Sequence, residues 1–201
     1  MPKIVNAQEK VEQICALAYE EFAKNGVENF SLNAFIASLN MSKGQFYHYF
    51  KTKDELAFEV LKRKSRELIQ HAKLEAAKKS TFKEKLFETF AYYIDDTNQE
   101  YLTCNKIVNG ILHLLLNSTD IQIREFNDEI YDTVQGVIGE IFDSQISANN
   151  LPADYKKYAK LVLIVADGMY MQSLSRSNYD LKSEFTEYLN DIVQIFEKGG
   201  K

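Results

Sequence analysis

The side chains able to do chemistry in this 201-residue chain are few and scattered. Its three histidines, His48, His71 and His113, are widely spaced. Its two cysteines, Cys15 and Cys104, make neither a disulfide framework nor a metal knuckle. The chain has no Gly-x-Ser-x-Gly, no phosphate-cradling Gly-rich loop and no His-Glu-x-x-His, so no catalytic residue, metal or cofactor is expected. One stretch is suited to recognition instead. In Ser42-Lys43-Gly44-Gln45-Phe46-Tyr47-His48-Tyr49-Phe50, the four-residue spacing of Phe46 and Phe50 turns both toward one side of a helix. Lys43, Gln45, Tyr47, His48 and Tyr49 are left facing out. A short helix with such a surface fits a DNA major groove, which admits one helix.

A partner helix must hold that surface in place. The spacing predicts a first helix over about Ala7–Lys24, stopped by Asn25-Gly26, and a second from a Ser31 cap to about Leu39. Phe35, Leu39, Phe46 and Phe50 can then form a small core. Asn40 sits in the turn, where a left-handed backbone is expected and Asn tolerates it. Thr52-Lys53-Asp54-Glu55 reads as a capping box that opens a long fourth helix to about Lys78. Thr81-Phe82-Lys83-Glu84 opens a fifth. Further helices are expected over about 101–117, 121–146, 152–175 and 181–198. About nine helices with no period-two segment make an all-α chain. The boundary expected between the short-helix module and the long-helix body lies at 52/53.

Composition agrees with a globular chain: 45% hydrophobic, 26% charged, with Pro152 the only proline in the body. The longest apolar run, Leu161–Ala166, is far too short for a membrane span, and the N-terminus lacks a signal-peptide pattern, so a cytoplasmic protein is expected. Net charge is −5 and uneven. Residues 1–80 hold 13 Lys and Arg against 10 Asp and Glu, and residues 81–201 hold 11 against 19. A slightly basic front on an acidic body fits an anion-binding module joined to a regulatory part.

The string from Ser42 to Phe50, followed by Lys51-Thr52-Lys53-Asp54-Glu55-Leu56 and preceded without a gap by Gly26 and Phe22, resembles the signature of TetR/AcrR-type transcriptional regulators. The likeness covers roughly residues 10–60. Asn40 stands where the family usually has Gly, and Ile36 where it usually has a small residue. The resemblance implies an N-terminal three-helix helix-turn-helix DNA-binding domain, 1–52, and a helical ligand-binding and dimerisation domain, 53–201. It implies that Tyr47, Lys53 and Tyr49 grip phosphates and that Gly44 belongs to the motif. Lys43, Gln45 and His48 fall near base edges, where Gln could read adenine and Lys guanine. Ser31 could hold a phosphate at a helix start. Gln45 could equally close a capping box with Ser42, His48 and Lys43 could be merely solvated, Tyr47 packed in the core, and Ser31 a plain cap.

In the body, Leu161–Met171 is apolar around most of a helix, so burial on two sides is expected. With Gly168 allowing close approach, it points to a homodimer through Leu161, Val165, Gly168, Met169 and Gln172, joined by Phe185, Leu189, Ile192 and Phe196 of the last helix. The alternative is an internal core. Asp167 reads as a hydrogen-bonded structural or interface residue. The family implies a small-molecule pocket, for which Tyr92, Tyr93, Cys104, Val108, His113, Tyr131, Tyr170 and Gln172 are candidate liners, each also readable as core. The expected function is a ligand-responsive homodimeric repressor of a double-stranded DNA operator, free of the membrane. The alternative is a TetR-like helical interaction protein acting through a protein partner.

Overall fold

The computed structural model describes residues 7–198, which are helical with no strand among them. Eleven α-helices follow in order: α1 (Ala7–Asn25), α2 (Leu32–Ser38), α3 (Lys43–Tyr49), α4 (Lys53–Lys78), α5 (Phe82–Thr89), α6 (Ala91–Ile94), α7 (Gln99–Gly110), α8 (Leu112–Asn117), α9 (Ile121–Asn149), α10 (Lys157–Ser175) and α11 (Leu181–Lys198). A 3₁₀ turn, Ala153–Lys156, leads into α10.

The sequence pattern merged two pairs of these helices. The chain leaves helical geometry at Phe90 and at Ile111, where ψ reaches 14° and 18°. Both residues are buried, so their side chains keep the apolar rhythm running through the break. Periodicity alone cannot register such a kink.

Local chemistry sets the ends. Gly26 stands at φ 70°, and its N–H donates to the Phe22 carbonyl at 2.9 Å, which closes α1. Asn40 takes φ 52° in the turn between α2 and α3, so the absent glycine is replaced by a residue that tolerates the left-handed region. Asn150, at φ 56°, ends α9 in the same way: the N–H of Leu151 reaches back to the Ile146 carbonyl at 3.0 Å. At Thr52 the expected box is only half made. The Glu55 N–H donates to Thr52 Oγ1, but the Glu55 carboxylate accepts from the Lys51 N–H instead. Thr81 and Glu84 make the full box.

Packing gathers the described residues into two compact units, one up to Arg66 with Gln99–Asn127, the other Glu67–Asn98 with the residues from Asp128 on. In the first, a run of phenylalanine rings joins the three N-terminal helices: Phe22 to Phe30 at 4.8 Å, Phe30 to Phe35 at 5.1 Å, Phe35 to Phe46 at 6.4 Å and Phe46 to Phe50 at 5.9 Å. Ile36, for all its bulk, is 2% exposed. Helix α7 lies against α1 in this unit. There Lys106 Nζ donates to the Ala23 carbonyl at 2.7 Å, and a Cβ on Gly110 would stand 2.6 Å from Cβ of Val27. In the second unit, α5, α9, α10 and α11 bury Phe82, Leu86, Phe142, Val162, Leu189 and Phe196 in one core.

Gly110 is therefore glycine because a stiff, buried Val27 occupies the space its side chain would need. Gly110→Ala is expected to lower unfolding free energy by about 1–3 kcal/mol, despite alanine's better helix propensity. Gly136→Ala in α9, where an added Cβ meets nothing within 4 Å, is expected to raise it by up to about 1 kcal/mol. Urea titrations of the two variants side by side check both signs.

Candidate nucleic-acid interface and ligand cluster

Helix α3 has seven residues, and its form depends on both ends and its underside. Beneath it, Phe46 is fully buried and Phe50 nearly so. At its start, Ser42 Oγ accepts from the Gln45 N–H at 3.2 Å while Gln45 Oε1 accepts from the Ser42 N–H at 2.9 Å. Of the two readings open for Gln45, the structure contains the cap. With Oε1 so engaged, the side chain has only its two N–H donors to offer, and a bidentate grip on adenine would break the box.

Lys43, Gly44, Gln45, Tyr47 and His48 are exposed and Tyr49 is half-buried, so α3 presents these residues together on its outer side. Tyr47 stands edge-on to Phe46, and His48 edge-on to Tyr49 at 5.4 Å. Ser31 caps α2, its Oγ accepting from the Ala34 N–H at 3.4 Å. Lys53 is not free in the way its motif position implies. Its ammonium donates to the Val27 carbonyl at 2.9 Å and the Glu28 carbonyl at 3.4 Å, which ties the start of α4 to the α1–α2 connection. An ammonium has three donors, so one remains for a phosphate at that helix start.

Residues 14–60 match the family model of bacterial regulatory proteins, tetR family. That match takes in the helix-turn-helix segment, from within α1 to the first turns of α4. An HTH-type transcriptional regulator of Staphylococcus aureus is 25% identical to it over 196 residues, 95% of this chain and 94% of the relative. Among solved structures, a protein from Saccharomonospora viridis described as a transcriptional regulator, in complex with choline, superposes with a TM-score of 0.73 at 16% identity, covering 93% of this chain and 96% of that one. The transcriptional regulator FadR from Bacillus subtilis, in complex with stearoyl-CoA, gives 0.59 at 18% identity, covering 94% and 98%. At these identities the superpositions speak for the fold.

The candidate pocket residues divide between the units. Tyr92, Tyr93, Tyr131 and Tyr170 lie in the second. Tyr93 Oη donates to Asp167 Oδ1 at 3.0 Å, its ring stands 5.4 Å from Tyr92 and 6.1 Å from Tyr170, and the Tyr131 hydroxyl is a second polar neighbour of the same carboxylate. Cys104 and Val108, on α7, and His113, on α8, belong to the first unit. His113 is neither core nor liner there: α8 is a six-residue helix, and the imidazole lies in the open, 3.4 Å from Asp54. Cys15 is an inert thiol, pushed up to about 12 by burial. Gln172 is exposed and accepts from Arg176.

The expected interface also needs correction. Phe185, Leu189, Ile192 and Phe196 are fully or almost fully buried inside their own subunit, where the Phe196 ring meets Phe82, Phe142 and Tyr155. Met169 packs against the same core. The amphipathic stripe of α11 closes the subunit rather than a dimer. Helix α10 keeps an outward apolar row, with Leu161 42% exposed, Ile164 53% and Met171 42%, running past the open Gly168.

Asp167 was legible as an anomaly in an apolar run, but not as the acceptor at the centre of the tyrosines, which come from three helices. Burial raises its carboxyl pKa, and the Tyr93 and Tyr131 hydroxyls pull it back only in part. A carboxyl whose folded pKa lies above its unfolded one is favoured when protonated. Its contribution to stability is present below the unfolded pKa and lost as pH rises through the folded one. Asp167→Asn, which keeps an acceptor for Tyr93, is therefore expected to melt above wild type at pH 7, with the gap narrowing as pH falls toward 4. Melting curves across that range check it.

Proposed function

We propose that this chain is a cytoplasmic, homodimeric, DNA-binding transcriptional repressor that leaves its operator when a small molecule binds. The observation that carries the reading is the outer surface of α3, where Lys43, Gln45, Tyr47 and His48 lie exposed on a helix locked from below by Phe46 and from its start by the Ser42–Gln45 box. Lys43, Gln45 and His48 take the base edges. Tyr47, Tyr49, Ser31 and the spare donor of Lys53 take phosphates, which fix register without reading sequence. Residues 1–52 form the reading domain, and residues 53–201 carry effector binding and dimerisation. Its work is binding, not turnover.

The complexes of its structural neighbours with choline and with stearoyl-CoA support an effector in the body. The dimer is made by the outward row of α10, Leu161, Ile164, Val165, Gly168 and Met171, with Gln172 beside it. A row of exposed apolar side chains beside a glycine on one helix suits close pairing with its symmetry mate.

Two measurements test this. Fluorescence anisotropy with genomic duplexes is expected to find a fragment bound far more tightly than random DNA, with affinity falling steeply as salt rises. Gln45→Glu keeps an acceptor for the Ser42 N–H but sets a negative charge on the reading surface. It is expected to leave melting unchanged and to weaken binding to all duplexes at least tenfold. If no fragment binds in a salt-sensitive way, DNA reading is wrong and a protein partner takes its place. Ile164→Glu is expected to convert a dimer to a folded monomer in analytical ultracentrifugation, with helical content retained. A monomeric wild type at micromolar concentration overturns the dimer.

A further inference from the structure

We propose that Asp167, with the rings of Tyr93, Tyr131 and Tyr170 around it, is a binding site for an organic cation of the quaternary ammonium class. It rests on the effector-binding reading above and gives that effector a chemical class.

The geometry has three parts. The first is a carboxylate set in the otherwise apolar Leu161–Met171 stretch of α10 and held by Tyr93 Oη at 3.0 Å. The second is a set of tyrosines brought in from α6, α9 and α10: the Tyr93 and Tyr131 hydroxyls meet the carboxylate, and Tyr92 and Tyr170 stand edge-to-face with the Tyr93 ring at 5.4 Å and 6.1 Å. The third is access: Tyr131 is 50% exposed, so one wall of the cluster opens to solvent.

Charge decides the class. The groups that act on Asp167 are the hydroxyls of Tyr93 and Tyr131, and both are neutral. No lysine, arginine or histidine among the described residues forms an ion pair with it. A partly buried carboxylate without a countercharge is costly, and a neutral side chain would fill the same space at less cost. A cationic guest supplies the missing charge, and tyrosine faces attract an alkylammonium through the ring quadrupole. An anion would meet the carboxylate's repulsion. An uncharged apolar guest would gain nothing from it.

The test uses choline, a small quaternary ammonium, against 3,3-dimethylbutan-1-ol, its uncharged carbon isostere. Isothermal titration of the full-length wild type is expected to show choline bound at least tenfold more tightly, and Asp167→Asn is expected to abolish the difference. Tyr131→Leu, at a half-exposed position, is expected to weaken choline severalfold and gives a second readout that leaves the carboxylate in place. Equal binding of the two probes, no binding of either to tens of millimolar, or an unchanged preference in Asp167→Asn would overturn the site. DNA anisotropy on the same samples separates the two readings. Choline binding in a protein that ignores DNA upholds the site and removes the regulator. Operator binding in a protein that ignores choline removes the site and leaves the regulator.

Discussion

The burial of Phe46 is the contact on which the reading surface depends. Helix α3 has seven residues, roughly half the length at which an isolated helix persists in water, so its conformation is borrowed from what lies beneath and before it. Phe46 meets Phe35 and Phe50, Phe35 meets Phe30, and Phe30 meets Phe22 on α1. Each ring is therefore held by the one before it. The outward side chains can be polar because this inner file is apolar and buried. Gln45 shows the tension between the two roles, since the oxygen that would complete a bidentate contact is the one that holds the helix start.

How much of this was legible in the sequence follows from how local each cause is. The reading head was legible because its determinants lie within a few residues: the Gly26 stop, the left-handed Asn40, the Ser42 box and the Phe46–Phe50 spacing all appear in place. The kinks at Phe90 and Ile111 were not, because the buried side chains keep the helical rhythm while only the backbone breaks. Lys53 was readable as a cation at a helix start, but its bonds to Val27 and Glu28 join residues some 25 positions apart. His113 failed for the opposite reason. A run of leucines around it looked like a core, and α8 proved too short to be buried on every side.

Helices α10 and α11 show how one pattern supports two meanings. The stripe of α11 is regular and strong, and it was assigned to an interface, yet the subunit's own α5, α6 and α10 already fill it. Helix α10 is less regular because it serves three surroundings. One side enters the core through Ala159, Val162 and Ala166, another turns Asp167 and Tyr170 toward the tyrosines, and a third leaves Leu161, Ile164 and Met171 outside. A helix apolar nearly all round does signal burial on two sides, but sequence alone cannot say which neighbour belongs to the same chain.

Asp167 sits in one packing unit and α3 in the other, so any influence of the first on the second must pass along the chain or through packing. The chain passes between the units three times, within α4, just before α7 and within α9. Two of these passages are continuous helix, which transmits a displacement that a flexible linker would absorb. Their attachments in the first unit are specific. Helix α4 is tied through Lys53 to the carbonyls of Val27 and Glu28, and α7 presses Gly110 onto the same Val27 while Lys106 holds Ala23. Both routes thus end on the segment that joins α1 to α2, within one side chain of the phenylalanine file that supports α3. An effector shifts DNA affinity only by the difference in its own affinity for two arrangements. An anchor this tightly packed inside the first unit has few arrangements to choose from, and that favours a switch between discrete positions over gradual loosening.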